Sequence, residues 1–173
     1  MTPEQATTLL HAMGLPSLHA EHPLTKKVIG AIPLHKCDYC PDLVGRSAIE
    51  LAWHIVMAEC RFLDAVLAGQ FDLTARPRPE TVRSPADINA WYEERFAKNV
   101  EQLKTLPAEQ LAKPIDFRGM FQFPAVVYVQ LGLNHSIHHR GQLSMYLRPM
   151  GAKVPSIYGE SYDARQAREA AQA

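Results

Sequence analysis

Proline and glycine divide this chain of 173 residues into long segments whose apolar residues recur at helical spacing. Two segments start with strong helix signals. Ser47-Ala48-Ile49-Glu50 is a capping box, so a helix should follow as far as Ala68, with Gly69 in the left-handed position that ends it. Ser84 caps a further helix, which should end before Pro107.

The remaining segments are less regular. Residues 4–13 predict a first helix and residues 17–32 a second, in which Pro23 predicts either a kink or the true helix start. Bulky residues alternate over 114–123, which predicts a short hairpin or an extended loop. The last long helix is predicted to open at Pro124 and to continue to Leu147 or Arg148.

Four long helices without a convincing strand pattern elsewhere predict an all-α fold, most simply a four-helix bundle. We expect a single domain over residues 1–173. The Pro-rich loop 70–83 has the length of a crossover between helix pairs, and the tail from Ser161 predicts a loose helix.

The charge balance restricts the function. The 18 Lys and Arg residues match the 18 Asp and Glu residues, and this zero net charge argues against a nucleic-acid partner. The chain has no apolar run of membrane-spanning length, and its first four residues do not resemble a secretory signal, so we expect no membrane partner. Three cysteines make a disulfide framework improbable, and a cytoplasmic location is therefore predicted.

Histidine is the unusual component, with eight residues in a neutral chain. His54 lies in an apolar stretch of the helix that follows Ser47, where nothing local explains it. His135 and His139 are four residues apart on the last helix, so two of their nitrogens can point at one ion. Three neutral imidazoles suit Zn, Ni, Fe or Co, but histidines satisfied by hydrogen bonds are an equal alternative. His138 is the second choice for a ligand.

The other histidines and the cysteines are predicted to be less important. Four histidines are expected on the surface: His11, His19, His22 and His35. Cys37 and Cys40 form a lone CxxC, which is a poor zinc site and lacks the βαβ context of a thioredoxin motif. Cys60 is expected in the core.

Two stretches resemble the DinB/YfiT-like family. One is the run from Asn134 to Leu143, followed by Tyr146-Leu147-Arg148 and the stretch from Gly151 to Gly159. The other is the motif from Ser47 to Ile55. The resemblance extends from about Leu18 to Tyr162, although Cys40 stands where the family usually has another residue type.

The resemblance implies an up-down-down-up four-helix bundle that binds one divalent metal ion. Carried over by motif, the ligands are His54, His135 and His139. Zn or Ni is the expected metal, with Fe, Co or Mn as alternatives. The family's name refers to induction by DNA damage and does not imply contact with DNA.

The family includes thiol-dependent transferases and isomerases that use glutathione, mycothiol or bacillithiol. The resemblance therefore implies a thiol S-transferase or isomerase that acts on a small electrophilic substrate with a low-molecular-weight thiol. A non-catalytic metal-binding stress-response protein and a metal-dependent hydrolase are the alternatives. Gln142 and Arg140 are candidate substrate-binding or ligand-supporting residues, Tyr146 and Tyr158 candidate pocket residues, and a homodimer is expected.

Overall fold

The structure is a computed structural model that describes residues 1–172, and it is mostly helical. Its α-helices are α1 (Pro3–Leu9), α2 (Leu15–Gly30), α3 (Ala48–Ala68), α4 (Pro85–Lys104), α5 (Ala108–Ala112), α6 (Val127–Leu147) and α7 (Tyr162–Ala170). A π-helical turn, Leu10–Gly14, joins α1 to α2, and a short 3-10 turn spans Leu34–Lys36. No helix within residues 1–172 is both long and apolar enough to cross a membrane.

The predicted start signals of α3 and α4 are confirmed. Ser47 accepts from the backbone N–H of Glu50, whose carboxylate accepts from the backbone N–H of Ser47. Ser84 and Asp87 form the same reciprocal pair at the start of α4. Gly69 ends α3 with φ of 71°, in the left-handed region that favours glycine.

The N-terminal segment differs from the prediction of two helices. α1, the π-turn and α2 follow one another without a break, so Gly14 does not end a helix. Pro16 lies in the first turn of α2, and α2 continues through Pro23, which is therefore not a helix start. The reason is tertiary, because Leu18 and Ile29 on this helix are completely buried in the core.

Of the two alternatives predicted for residues 114–123, the short hairpin is the one observed. Strands β1 (Pro114–Phe117) and β2 (Phe121–Pro124) pair antiparallel. α6 begins at Val127, three residues later than the predicted start at Pro124. The backbone N–H groups of Ala125 and Val126 donate to α5 and its C-cap, which holds these residues outside the helix.

The long helices pack around one apolar core. α3 contacts both α4 and α6, and α2 contacts the same two helices. Cys60 on α3 is buried in this core, as predicted.

α3 and α6 approach each other closely at Gly132. A Cβ added to this glycine would lie 2.8 Å from Cβ of Phe62, which is far inside van der Waals contact. Gly141 on the same helix has open space, with no atom within 4 Å of the corresponding position. The two glycines therefore differ in packing while sharing one helix.

We expect Gly132→Ala to lower the free energy of unfolding by roughly 1–3 kcal/mol, because Phe62 must shift away from the new methyl group. Gly141→Ala is the matched control, and it should raise the free energy of unfolding by up to about 1 kcal/mol through helix propensity. Urea unfolding of the three proteins measures both effects. Equal stabilisation by the two substitutions would disprove the tight contact.

Candidate metal centre

Three histidines meet between α3 and α6. α3 supplies His54, and α6 supplies His135 and His139, which lie on one face because they are four residues apart. Each offers a ring nitrogen, and the three nitrogens lie within 4.8 Å of one another. The ring centroids are 4.9 Å apart for His54 and His135, 4.7 Å for His54 and His139, and 4.5 Å for His135 and His139. This group, the histidine cluster, could hold a metal ion.

Gln142 determines which nitrogen of His139 is available. Nδ1 of His139 lies 3.0 Å from Oε1 of Gln142. An amide oxygen only accepts, so Nδ1 carries the proton and donates it. A neutral His139 therefore keeps a free lone pair on Nε2, which is the form that binds metals.

His135 contributes an unpaired polar atom. Its Nδ1 is buried and has no hydrogen-bond partner among residues 1–172. Leaving such an atom unpaired costs about 1–3 kcal/mol. A metal ion or a proton donor from a ligand would satisfy this nitrogen.

The histidine cluster favours neutral imidazoles. Burial, with smaller contributions from the charges of Arg46 and of the neighbouring histidines, lowers the pKa of His54 to about 4. Burial and the charge of His139 likewise lower the pKa of His135 to about 4. Both rings are therefore neutral at pH 7, and no proton competes with a metal ion for their lone pairs.

His138 lies outside the histidine cluster. Its side chain is exposed, and its ring contacts His139 at a centroid distance of 4.9 Å. The three ligand atoms that converge come from the other histidines.

The prediction that His22 is solvated is wrong. Its side chain is buried, stacked on the ring of Phe96 at a centroid distance of 3.9 Å and against the ring of Tyr92 at 4.5 Å. Burial lowers the pKa of His22 to about 4, although Glu93 opposes this shift. His11, His19 and His35 are exposed, as predicted.

The side chain of Arg140 is buried and makes its hydrogen bonds within the protein. Its guanidinium is 2% exposed, and it donates to the carboxylate of Glu21 at 2.6 Å, to the hydroxyl of Thr25 at 3.2 Å and to that of Tyr158 at 2.5 Å. These contacts favour a structural role for Arg140, and substrate binding by this residue stays a prediction. Tyr146 is buried, with its hydroxyl 3.5 Å from Nε2 of Gln142.

A cleft of about 510 Å³ opens beside His54. Sequence reasoning did not place the arginines of this cleft at the site. The cleft contains three arginines, which come from the turn before α3 and from the loop between α3 and α4: Arg46, Arg76 and Arg78. Glu50, Trp53, Met57 and Pro77 complete the lining with His54. The Arg-Pro-Arg-Pro run at 76–79 was the available signal, but only the fold brings it next to the turn before α3.

Residues 5–170 match the sequence profile of the DinB family. The chain belongs to the DinB family. This match covers nearly the whole chain and confirms the resemblance seen in the two histidine motifs.

Two uncharacterised proteins of Bacillus subtilis are similar to this DinB protein. YjoA is 29% identical over 130 residues, which cover 74% of this chain and 82% of YjoA. YrdA is 31% identical over 113 residues, which cover 63% of this chain and 64% of YrdA. Neither name indicates an activity.

Two crystal structures of DinB-like proteins have a similar fold. That of YjoA from Bacillus subtilis has a TM-score of 0.68 and 26% identity, covering 83% of this chain and 96% of YjoA. That of a protein from Bacillus cereus ATCC 10987 has a TM-score of 0.69 and 24% identity, covering 84% of this chain and 95% of that one. The second likeness concerns the fold alone.

The cysteines of this DinB protein are all free within the described chain. The thiol of Cys40 donates to the backbone carbonyl of Asp42 at 2.8 Å. Burial and the charge of Asp38 raise the pKa of the Cys37 thiol, which disfavours the reactive thiolate.

The metal-free protein should lose stability on acidification from about pH 6.5 to about pH 4. His22, His54 and His135 have folded-state pKa values of about 4 against an ordinary value of 6.5. In this window the unfolded chain binds more protons than the folded one, so the free energy of unfolding falls as the pH falls.

Near pH 5 the unfolded protein should bind more protons than the folded protein, and His22 accounts for about one of them. We expect His22→Phe, which keeps a flat ring against Phe96 and Tyr92, to lose that one proton and to show a correspondingly smaller slope of unfolding free energy against pH. Urea unfolding from pH 4 to 8 in the presence of a chelator measures the slope for both proteins. The values at pH 8 isolate the packing effect of the substitution. Identical slopes would contradict a buried neutral His22.

Proposed function

We propose that His54, His135 and His139 bind one divalent metal ion, with Zn²⁺ or Ni²⁺ first and Fe²⁺, Co²⁺ or Mn²⁺ as alternatives. The observation that carries the proposal is the convergence of three imidazole nitrogens within 4.8 Å. Two nitrogen ligands of a tetrahedral zinc ion lie about 3.3 Å apart, so small ring movements suffice. The hydrogen bond from Nδ1 of His139 to Gln142 leaves Nε2 of His139 free for the same role.

The arrangement of the long helices is proposed to be an up-down-down-up four-helix bundle. In the contacts between α3 and α4, the residue numbers rise together on both helices. The pairs are Trp53 with Trp91, Glu59 with Tyr92, and Asp64 with Asn99. Contacts of α3 with α6 run in opposite order: His54 with His139, and Phe62 with Gly132. These pairs support α3 parallel to α4 and antiparallel to α6.

Contacts of α2 complete this proposal. α2 and α4 run in opposite order, since His19 contacts Phe96 while Gly30 lies next to Asn89. Between α2 and α6 the residue numbers rise together, which indicates parallel helices. Gly14, just before α2, approaches Val129, and Glu21 pairs with Arg140. The loop from Gln70 to Arg83 then crosses between parallel helices, as its length allows.

The function that this site supports best is transfer of a small thiol to an electrophilic substrate. Three histidines leave at least one coordination position for an exchangeable ligand, and the cleft beside His54 has room for a small molecule. When bound, a divalent ion would lower the pKa of a coordinating thiol. The sulfur would form a bond to the electrophilic carbon, the leaving group would depart with its bonding electrons, and the thiol proton would pass to solvent.

The protein's own residues would orient the reactants. Gln142 holds the ring of His139 through the Nδ1 hydrogen bond. Trp53, Met57 and Pro77 form an apolar side of the cleft, which excludes water from part of a bound substrate. The homodimer, the cytoplasmic location and the lack of DNA binding stay predictions.

The metal site is tested by metal analysis of protein purified without a nickel column. We expect one divalent ion per chain. Because each ligand supplies a coordinate bond, His54→Ala, His135→Ala and His139→Ala should each weaken Zn²⁺ binding by more than about 100-fold. His138→Ala is the matched control and should retain affinity. Competition with a chromophoric chelator gives the constants, and unchanged affinity in His54→Ala would refute the site.

Gln142→Leu should weaken Zn²⁺ binding by about 10–100-fold, because the ring of His139 loses the acceptor that fixes its tautomer. Gln130→Leu, on an exposed position of the same helix, is the control and should bind Zn²⁺ normally. An affinity of Gln142→Leu equal to that of Gln130→Leu would exclude Gln142 as a supporting residue.

The reaction is tested with metal-loaded protein, a small thiol and 1-chloro-2,4-dinitrobenzene, in which the thiol sulfur replaces chloride. We expect thioether formation above the uncatalysed rate, and loss of that excess in His54→Ala. A fully loaded protein without thioether formation for any thiol tested would contradict the transferase proposal and favour the non-catalytic metal-binding alternative.

A further inference from the structure

The cleft beside His54 is more basic than the chain as a whole. Three of its lining residues are arginines and one, Glu50, is an acid, whereas the whole chain has 18 residues of each sign. Such a local excess of positive charge on a concave surface concentrates anions. An arginine that forms an ion pair within the protein adds little to this positive charge, so the partners of each arginine decide how much of it is available to a ligand.

Arg76 is neutralised within the protein and organises the loop. Its guanidinium donates to Asp64 on α3 at 2.7 Å and to Asp72 at 2.9 Å. Arg61 on α3 donates to the carbonyl of Thr74 at 2.8 Å. These contacts attach the loop between α3 and α4 to α3, and this attachment places Arg78 at the cleft.

Arg46 and Arg78 are not neutralised in this way. Neither is in an ion pair within residues 1–172. Arg78 donates to the backbone carbonyl of Val82, and the side chain of Arg46 has no hydrogen bond in the described chain. Glu50 faces both arginines, but its carboxylate accepts from the N–H and hydroxyl of Ser47 at 2.9 Å each. One capped carboxylate therefore faces two guanidiniums that have no ion-pair partner within residues 1–172.

We propose that Arg46 and Arg78 bind the carboxylate group of the small thiol that this site uses. Guanidinium groups bind carboxylates in a bidentate geometry, and a ligand held there would lie in the same cleft as His54. Trp53 and Met57 would contact the aliphatic part of the ligand. This inference rests on the proposed thiol transfer and adds the two residues that would select an anionic thiol over a neutral one.

The test compares three probes on the Zn²⁺-loaded protein by isothermal titration. They are mercaptosuccinate, its dimethyl ester, which has the thiol without the charges, and succinate, which has the charges without the thiol. We expect mercaptosuccinate to bind at least about tenfold more tightly than the ester, because only the dianion pairs with the arginines. Equal affinities for the two thiols would overturn the proposal.

Substitutions of the arginines test whether the preference for mercaptosuccinate over its ester arises in the cleft. Arg46→Gln should weaken mercaptosuccinate binding about tenfold and leave ester binding unchanged, because the Arg46 side chain makes no ion pair or hydrogen bond within residues 1–172. Arg78→Gln should act in the same direction. Arg165→Gln, an exposed arginine on α7 that removes the same charge, is the control and should bind like the unaltered protein. An Arg46→Gln protein that retains full preference for the dianion would overturn the proposal.

The metal content of each sample separates this inference from the metal proposal. If the protein takes up no metal, the proposed function fails, and succinate is then titrated into the metal-free protein. Succinate binding that depends on Arg46 and weakens with salt would support the anion site by itself. Succinate binding that is absent, or equal in Arg46→Gln, would refute it.

Discussion

The close contact between α3 and α6 is the constraint on which the histidine cluster depends. Phe62 occupies the space above Gly132, so these helices approach more closely here than any other side chain at position 132 would permit. His135 lies one turn beyond Gly132, about 4.5 Å along the axis. His54 precedes Phe62 by eight residues, about 12 Å. His139, whose ring contacts that of His54, lies seven residues beyond Gly132, about 10.5 Å along the axis. The imidazoles of the two helices therefore meet two to three turns from the contact, and the helix separation fixed at Gly132 limits how far apart they lie.

A buried ion pair determines how α6 is rotated. Arg140 directly follows His139, and its guanidinium pairs with Glu21 on α2. Removing one partner of a buried pair typically costs about 3–5 kcal/mol, because the other charge is left without compensation. α6 therefore cannot turn freely about its axis. With Arg140 directed at α2, His135 and His139 are directed at α3, so a structural residue controls the geometry of the candidate metal site without contacting a ligand.

Local signals predicted the parts of this structure that depend on neighbouring residues. The capping boxes at Ser47 and Ser84 act within one helical turn, and the spacing of His135 and His139 is a property of one helix. Residue chemistry alone grouped these two histidines with His54 but left structural histidines as an equal alternative, and the family resemblance then favoured the metal site. The burial of His22 was missed, because the adjacent Glu21 and Pro23 suggested solvent, whereas Tyr92 and Phe96 on another helix cover its ring.

The basic cleft lay beyond local reasoning, since Arg46 and Arg78 are far apart in the chain and are brought together by the loop contacts of Arg76. The cleft lies beside the histidine cluster, and each of the two contains a polar group without a partner among residues 1–172. Within the described part of the chain, Nδ1 of His135 has no hydrogen-bond partner and Arg46 has no ion-pair partner, and neither feature stabilises the protein by itself. The proposed metal ion would coordinate one ring nitrogen of His135, and a carboxylate of the proposed thiol would supply the counter-charge of Arg46. Because His54 belongs both to the histidine cluster and to the cleft, one metal-coordinated anionic thiol would meet both requirements.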